Sequence, residues 1–138
     1  RTEYVNALKP LLNAYGNERE LTIILFTLDE SNYAREIAPL AGHYPALRIG
    51  PAWWFHDSPE GMRRFREQVT ETGGFHNTVG FNDDTRAFLS IPSRHDMSRR
   101  VDCSFLARLV AEHRLEKDEA FAVAQDLAYN LVRQAYRL

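Results

Sequence analysis

The chain has 138 residues, with 17 Lys+Arg against 19 Asp+Glu and a formal net charge of -2. With 44% hydrophobic and 26% charged residues it has the balance of a globular domain with a core. Cys103 is the sole cysteine, so there is no disulfide framework and no Cys/His set at structural-zinc spacing. No apolar run approaches the roughly 18 residues of a spanning helix, and the near-neutral charge argues against a nucleic-acid partner.

Tyr4, Leu8, Leu11, Leu12 and Tyr15 recur at helical spacing, with Gly16 as the stop and Pro10 inside as a kink or break. The continuous apolar run 21–28 suits a parallel strand covered on both faces. Ser31 or Asn32 then caps a short helix through Leu40, which Pro39 limits or bends. Residues 46–50 read as a second strand. It enters Pro51-Ala52-Trp53-Trp54-Phe55, where Gly50-Pro51 implies a close backbone approach. Ser58, Pro59 and Glu60 form a strong helix start, with Met62, Phe65 and Val69 as its buried stripe and Gly73-Gly74 as its end. A third short strand is expected over 77–81. Beyond it the pattern is helical almost to the end. One stripe holds Val101, Phe105 and Leu109, with Cys103 read as a small buried hydrophobe. A second holds Phe121, Ala124, Leu127, Leu131 and Ala135, and a loop near 115–118 separates the two.

Alternation of buried-type strands with helices predicts right-handed βαβ units and a parallel sheet. Three strands are few, since a free-standing doubly wound domain has about five or six. The chain also begins Arg1-Thr2-Glu3, without an initiator Met. Both features lead to the expectation that it was processed or is a piece of something longer.

In parallel α/β folds ligands sit at the carboxyl ends of strands. Those ends carry Asp29-Glu30-Ser31-Asn32, Trp53-Trp54-Phe55-His56-Asp57 and Asn82-Asp83-Asp84-Thr85-Arg86. A strand-end carboxylate can bind a metal or act as a general base, and an Arg two residues on can grip a carboxylate with its fork. The same residues also fit a plain helix start, with Asp83 or Asp84 as cap and Arg86 as surface neighbour. Adjacent Trp53 and Trp54 cannot both face one way. One can pack while the other walls a pocket, its indole N–H free for a sugar oxygen, and packing by both is equally open. His56-Asp57 invites a catalytic-pair reading, but neighbours in sequence rarely face each other and Asp57-Ser58-Pro59 is explained by capping. His43, His76 and His113 lie apart. His95-Asp96, near Arg99-Arg100, can face a partner or anion, or simply start a solvated helix. No Gly-rich phosphate loop and no Gly-x-Ser-x-Gly elbow occurs.

The segments Gly50-Pro51-Ala52-Trp53-Trp54-Phe55-His56-Asp57, Asp84-Thr85-Arg86-Ala87-Phe88-Leu89-Ser90, Ser93-Arg94-His95-Asp96 and Arg99-Arg100 closely resemble the C-terminal part of uronate (glucuronate) isomerases. The resemblance runs over essentially the whole chain but only about the last third of the family's length. It implies the amidohydrolase superfamily and a (β/α)8 TIM barrel. This chain, as one piece over residues 1–138, would supply about three parallel βα units and the C-terminal helices. A complete barrel takes about 250 residues. The implied activity is aldose–ketose isomerisation of D-glucuronate to D-fructuronate, and of D-galacturonate to D-tagaturonate, in the cytoplasm, with a divalent metal, zinc at family level. Asp84 matches the carboxylate at the end of strand eight, a catalytic group near the metal. Arg86 matches a contact to substrate carboxylate or hydroxyl, and Trp53 a wall of the sugar pocket. Some members carry an Arg in the loop after the sixth strand; Leu28-Asp29-Glu30-Ser31-Asn32 has none. His-x-His, the family's first-strand metal pair, occurs nowhere in the chain.

The expectation is therefore a C-terminal uronate isomerase fragment, inactive alone, whose parent binds uronic acids. One rival is a non-enzymatic α/β interaction module, since unpaired sheet edges favour self-association. Another is a small flavodoxin-like enzyme, which needs two further strands that the pattern lacks.

Overall fold

The computed structural model describes residues 2–83 and 87–138. Helix α1 (Val5–Tyr15) runs through Pro10 without a break and ends at Gly16. No side chain of its own caps its start. Glu36 does so from a distance, accepting from the N–H groups of Tyr4 at 2.6 Å and Val5 at 3.3 Å. Those two donors are orphans of the first helical turn, so a carboxylate there satisfies them and meets the positive end of the helix dipole.

Strand β1 (Ile23–Leu25) pairs parallel with β2 (Leu47–Ile49), in the register Ile23–Leu47, Ile24–Arg48 and Leu25–Ile49. Between them lie a π-helical turn, Tyr33–Ile37, and helix α2 (Ala38–His43), with Pro39 in its first turn. The N-cap side chains expected here are used otherwise. Asn32 makes no cap bond and accepts from Arg35 at 2.5 Å, while Ser31 donates to Asp29.

The expected third strand is a correction. Residues 77–81 join the sheet through a single parallel bridge, Ile49–Thr78. The Ile49 N–H donates to the Asn77 carbonyl at 2.8 Å and the Val79 N–H to the Ile49 carbonyl at 3.0 Å. Pairing stops there because Gly80 turns to φ +72, outside the extended region, where the chain passes too close to the Leu127 carbonyl for any Cβ. Strand β1 is likewise shorter than the apolar run that announces it, and among the described residues it has a partner on one side only.

Helix α3 (Pro59–Gly73) starts as its sequence dictates. Ser58 Oγ accepts from the Gly61 N–H at 3.2 Å, Pro59 opens the helix, and Gly74 at φ +70 closes it. Met62, Phe65 and Val69 are buried with Leu12, Tyr33, Ile37, Leu47 and Ile49 in the main core. Helix α4 (Ile91–Ala111), helix α5 (Lys117–Gln125), a π turn (Asp126–Asn130) and helix α6 (Leu131–Tyr136) complete the chain. A capping box between Glu116 and Glu119 starts α5. Leu106, Val123, Leu127 and Leu131 form a second cluster.

Two more expectations are corrected on these helices. Cys103 is exposed, and Phe121 is 67% exposed. The buried stripe of α4 is Ser98, Asp102, Phe105, Leu106 and Leu109, which leaves Cys103 one step off it. Val123, Leu127 and Leu131 make the inner stripe of the terminal helices, so Phe121 faces outward.

The α4 stripe is partly polar because Asp102 meets Arg66 of α3. The guanidinium grips the carboxylate by both prongs, at 2.6 and 2.9 Å, and the two side chains are 4% and 12% exposed. Removing one member strands a buried charge. Arg66→Ala is therefore expected to cost about 3–5 kcal/mol of unfolding free energy in urea titrations, with Arg66→Met/Asp102→Leu recovering most of it.

Candidate functional site

Parallel pairing puts the carboxyl ends of β1, β2 and the Thr78 segment on one rim. The first loop is built on itself. Thr27 Oγ1 accepts from the Asp29 N–H at 2.9 Å, and Asp29 Oδ1 accepts from the Ser31 hydroxyl at 2.6 Å and N–H at 3.0 Å. The Ser31 hydroxyl, then its N–H, holds the Asp29 carboxyl below its ordinary 3.8. Next to it Glu30 takes both prongs of Arg64 from α3, at 2.6 and 3.2 Å, which lowers the Glu30 carboxyl too.

The second loop carries the tryptophans. Trp53 is half-buried, its ring edge-on to Phe26 at 5.7 Å. Phe26 can lie there because Gly50 has no Cβ, which would stand 2.6 Å from that ring. The Trp53 indole N–H donates to the Thr27 carbonyl at 3.1 Å, so this ring spends its donor on the first loop. Trp54 takes φ +62, a costly conformation for a bulky residue, and stands 53% exposed. The two rings meet edge-on at 5.8 Å, Trp53 on the inner side and Trp54 on the more exposed one.

His56 and Asp57 do not face each other. His56 is buried and its Nε2 lies 2.9 Å from the Tyr33 hydroxyl. Burial pushes the imidazole below its ordinary 6.5 and the Tyr33 hydroxyl upward. Asp57 turns the other way, to Arg94 of α4. Arg94 also reaches Asp83 on the third loop, Nε to Oδ1 at 3.2 Å, so Asp83 is an ion-pair partner. His95 packs edge-on to Phe81 at 4.9 Å, where burial lowers it, and Asp96 pairs with Arg100 along the helix at 2.7 Å.

Of the sequence-predicted site residues, Trp53 is on this rim. Asp84 and Arg86 lie outside the described residues. Sequence reasoning gave no role to Thr27, Tyr33 or Arg94, which stitch the three loops together. Arg94 was visible only as a member of a polar motif. His76 is 3.1 Å from Asp126, far from the rim in sequence, and among the described residues no three His, Cys, Asp or Glu side chains cluster to hold a metal.

Two parallel strands with helical crossovers make this an α/β chain, with polar and aromatic residues gathered at its strand ends. The glucuronate isomerase family model matches residues 1–136, and the chain belongs to that family. It is 76% identical over 138 residues to the uronate isomerase of Rhizobium meliloti (strain 1021), covering 100% of this chain and 29% of that protein. The uronate isomerase of Phenylobacterium zucineum (strain HLK1) is 75% identical over the same span, with the same shares covered. The crystal structure of glucuronate isomerase from Caulobacter crescentus superposes with a TM-score of 0.97 at 72% identity, over 99% of this chain and 29% of that one. The uronate isomerase structure from Thermotoga maritima gives 0.90 at 27% identity, over 97% and 29%. The chain therefore spans about 29% of the length of the relatives it matches.

The rim predicts a pH effect. Burial lowers the His56 imidazole below its ordinary 6.5, so the folded chain takes up this proton at lower pH than the unfolded chain does. Stability should fall as pH drops below that value and gain nothing from this group above it. Urea midpoints between about pH 7 and 5 should slope more steeply for the native chain than for His56→Gln.

Proposed function

We propose that this chain is the C-terminal part of a uronate isomerase whose intact form interconverts D-glucuronate with D-fructuronate, and D-galacturonate with D-tagaturonate. The carrying observation is the match to uronate isomerases over the whole chain, at 76% identity in one of them. In this reading residues 1–138 are one piece of a (β/α)8 barrel of the amidohydrolase superfamily. β1, β2 and the Thr78 segment are its sixth, seventh and eighth strands. The parallel order of the three segments and their shared rim support it.

Aldose–ketose isomerisation moves a proton from carbon 2 to carbon 1 through an enediol, while the hydroxyl proton on carbon 2 goes to the carbonyl oxygen on carbon 1. Asp84, at the end of the third segment, is assigned to ring opening or to that proton shuttle. Arg86 is assigned to the substrate carboxylate or a hydroxyl, through its two-pronged fork. Trp53 offers its ring as a wall of the sugar pocket, its N–H being held by Thr27. The reading carries with it a divalent metal, zinc at family level, with Asp84 as this chain's donor. The described residues do not fit a complete metal site by themselves, so no step is routed through it. It also implies a cytoplasmic enzyme; among the described residues no helix is long and apolar enough to cross a membrane.

The tests fall on the full-length enzyme and on the chain alone. The full-length enzyme should turn over glucuronate, and Asp84→Asn should remove about 100-fold or more of kcat; near-normal turnover by that variant would sink the role given to Asp84. The chain of 138 residues alone should show no turnover, because it holds one side of the pocket. Its β1 edge, unpaired among the described residues, should make it self-associate, read as mass by light scattering after size exclusion.

A further inference from the structure

We propose that Arg94 is a positioning residue of this rim, clamping Asp83, the residue next to Asp84 in the sequence, to Asp57. The inference rests on the role given to Asp84 above.

Arg94 stands near the start of α4, outside the strand ends, yet every polar partner given for it belongs to them. Its Nη2 pairs with Asp57 Oδ2, its Nη1 reaches the Asp57 carbonyl at 3.5 Å, and its Nε meets Asp83 Oδ1 at 3.2 Å. These partners lie 37 and 11 residues away in sequence, so the contacts are tertiary and not a by-product of helical spacing. The Asp83 side chain is 5% exposed, and among the described residues its Oδ2 has no hydrogen-bond partner. A buried carboxylate served on one oxygen depends heavily on that one cation. Asp83 is also bonded through the main chain to Asp84, so a shift of Asp83 is transmitted to its neighbour. A guanidinium serves both carboxylates through donors fixed in a planar fork, a geometry that a compact ammonium does not reproduce. Catalytic groups misplaced by about 1 Å can lose about 100-fold in rate.

The test uses the full-length enzyme and steady-state kinetics on glucuronate. Arg94→Met should lower kcat about tenfold or more with KM within about threefold. Arg94→Lys should fall between the two, keeping the charge and losing the fork. The deciding readout is coupling. In an Asp84→Asn background, adding Arg94→Met should cost less than about twofold further, because the group it positions is already gone. Equal losses in both backgrounds would show an independent role and overturn the proposal. So would a near-normal kcat in Arg94→Met while Asp84→Asn is crippled. Near-normal turnover in Asp84→Asn itself would instead overturn the reading of Asp84, and this inference with it. If Arg94→Met does not fold, Asp83→Asn carries the test: it keeps the shape and removes the charge. It too should lower kcat at nearly constant KM, and a kcat within about twofold of native would refute the clamp.

Discussion

The parallel register of β1 with β2, extended by the Ile49–Thr78 bridge, decides where everything else can be. Parallel strands need long crossovers, and here each crossover is a helix that returns the chain to the opposite end. All three carboxyl ends therefore open on the same side, and residues from three distant segments become neighbours. An antiparallel pairing of the same strands would scatter Asp29, Trp53 and Asp83 to opposite ends.

A shared rim is not yet an ordered one, and long-range polar contacts supply the order. Trp53 donates to Thr27, His56 meets Tyr33, and Arg64 grips Glu30. Each joins a strand-end residue to a different βα unit. Arg94 does the same between the second and third loops. The buried Arg66–Asp102 pair holds α4 on α3 from below, at the level of the helix bodies. The two arginine contacts do different work: one anchors the helix, and the other uses the anchored helix to hold the loops.

How much of this was legible depends on whether the controlling interaction is local. The start of α3 was readable because Ser58, Pro59 and Glu60 act within one turn, and the structure has that cap. The α3 stripe of Met62, Phe65 and Val69 was readable because apolar spacing reports the buried face directly. On α4 the same rule found Phe105 and Leu109 but not the whole inner face. Its inner stripe includes Ser98 and Asp102, polar residues that burial tolerates only because of a partner on another helix. An apolar-only pattern therefore drifted toward Cys103, which lies outside. Strand lengths were over-read for a related reason. A run of β-branched residues signals burial, but a ladder also needs a neighbour at every position, and Gly80 ends one segment through a contact with the distant Leu127 turn.

The candidate site divides along the same line. Strand-end position marked out the segments with Trp53-Trp54 and Asp83-Asp84-Thr85-Arg86, and the family resemblance then singled out Trp53, Asp84 and Arg86. The residues that hold such groups in place were not marked out in this way, because Thr27 contributes a carbonyl, Tyr33 looks like core, and Arg94 pairs across 37 residues. Motif resemblance narrows this gap only for the residues within a motif. Asp57, Asp83 and Arg94 are three charged side chains in three separate segments, and a single planar guanidinium makes them one unit. A strand-end carboxylate is thus held by a helix that lies outside the strand ends, which is why a loop-by-loop reading finds Asp83 and misses the cation that holds it.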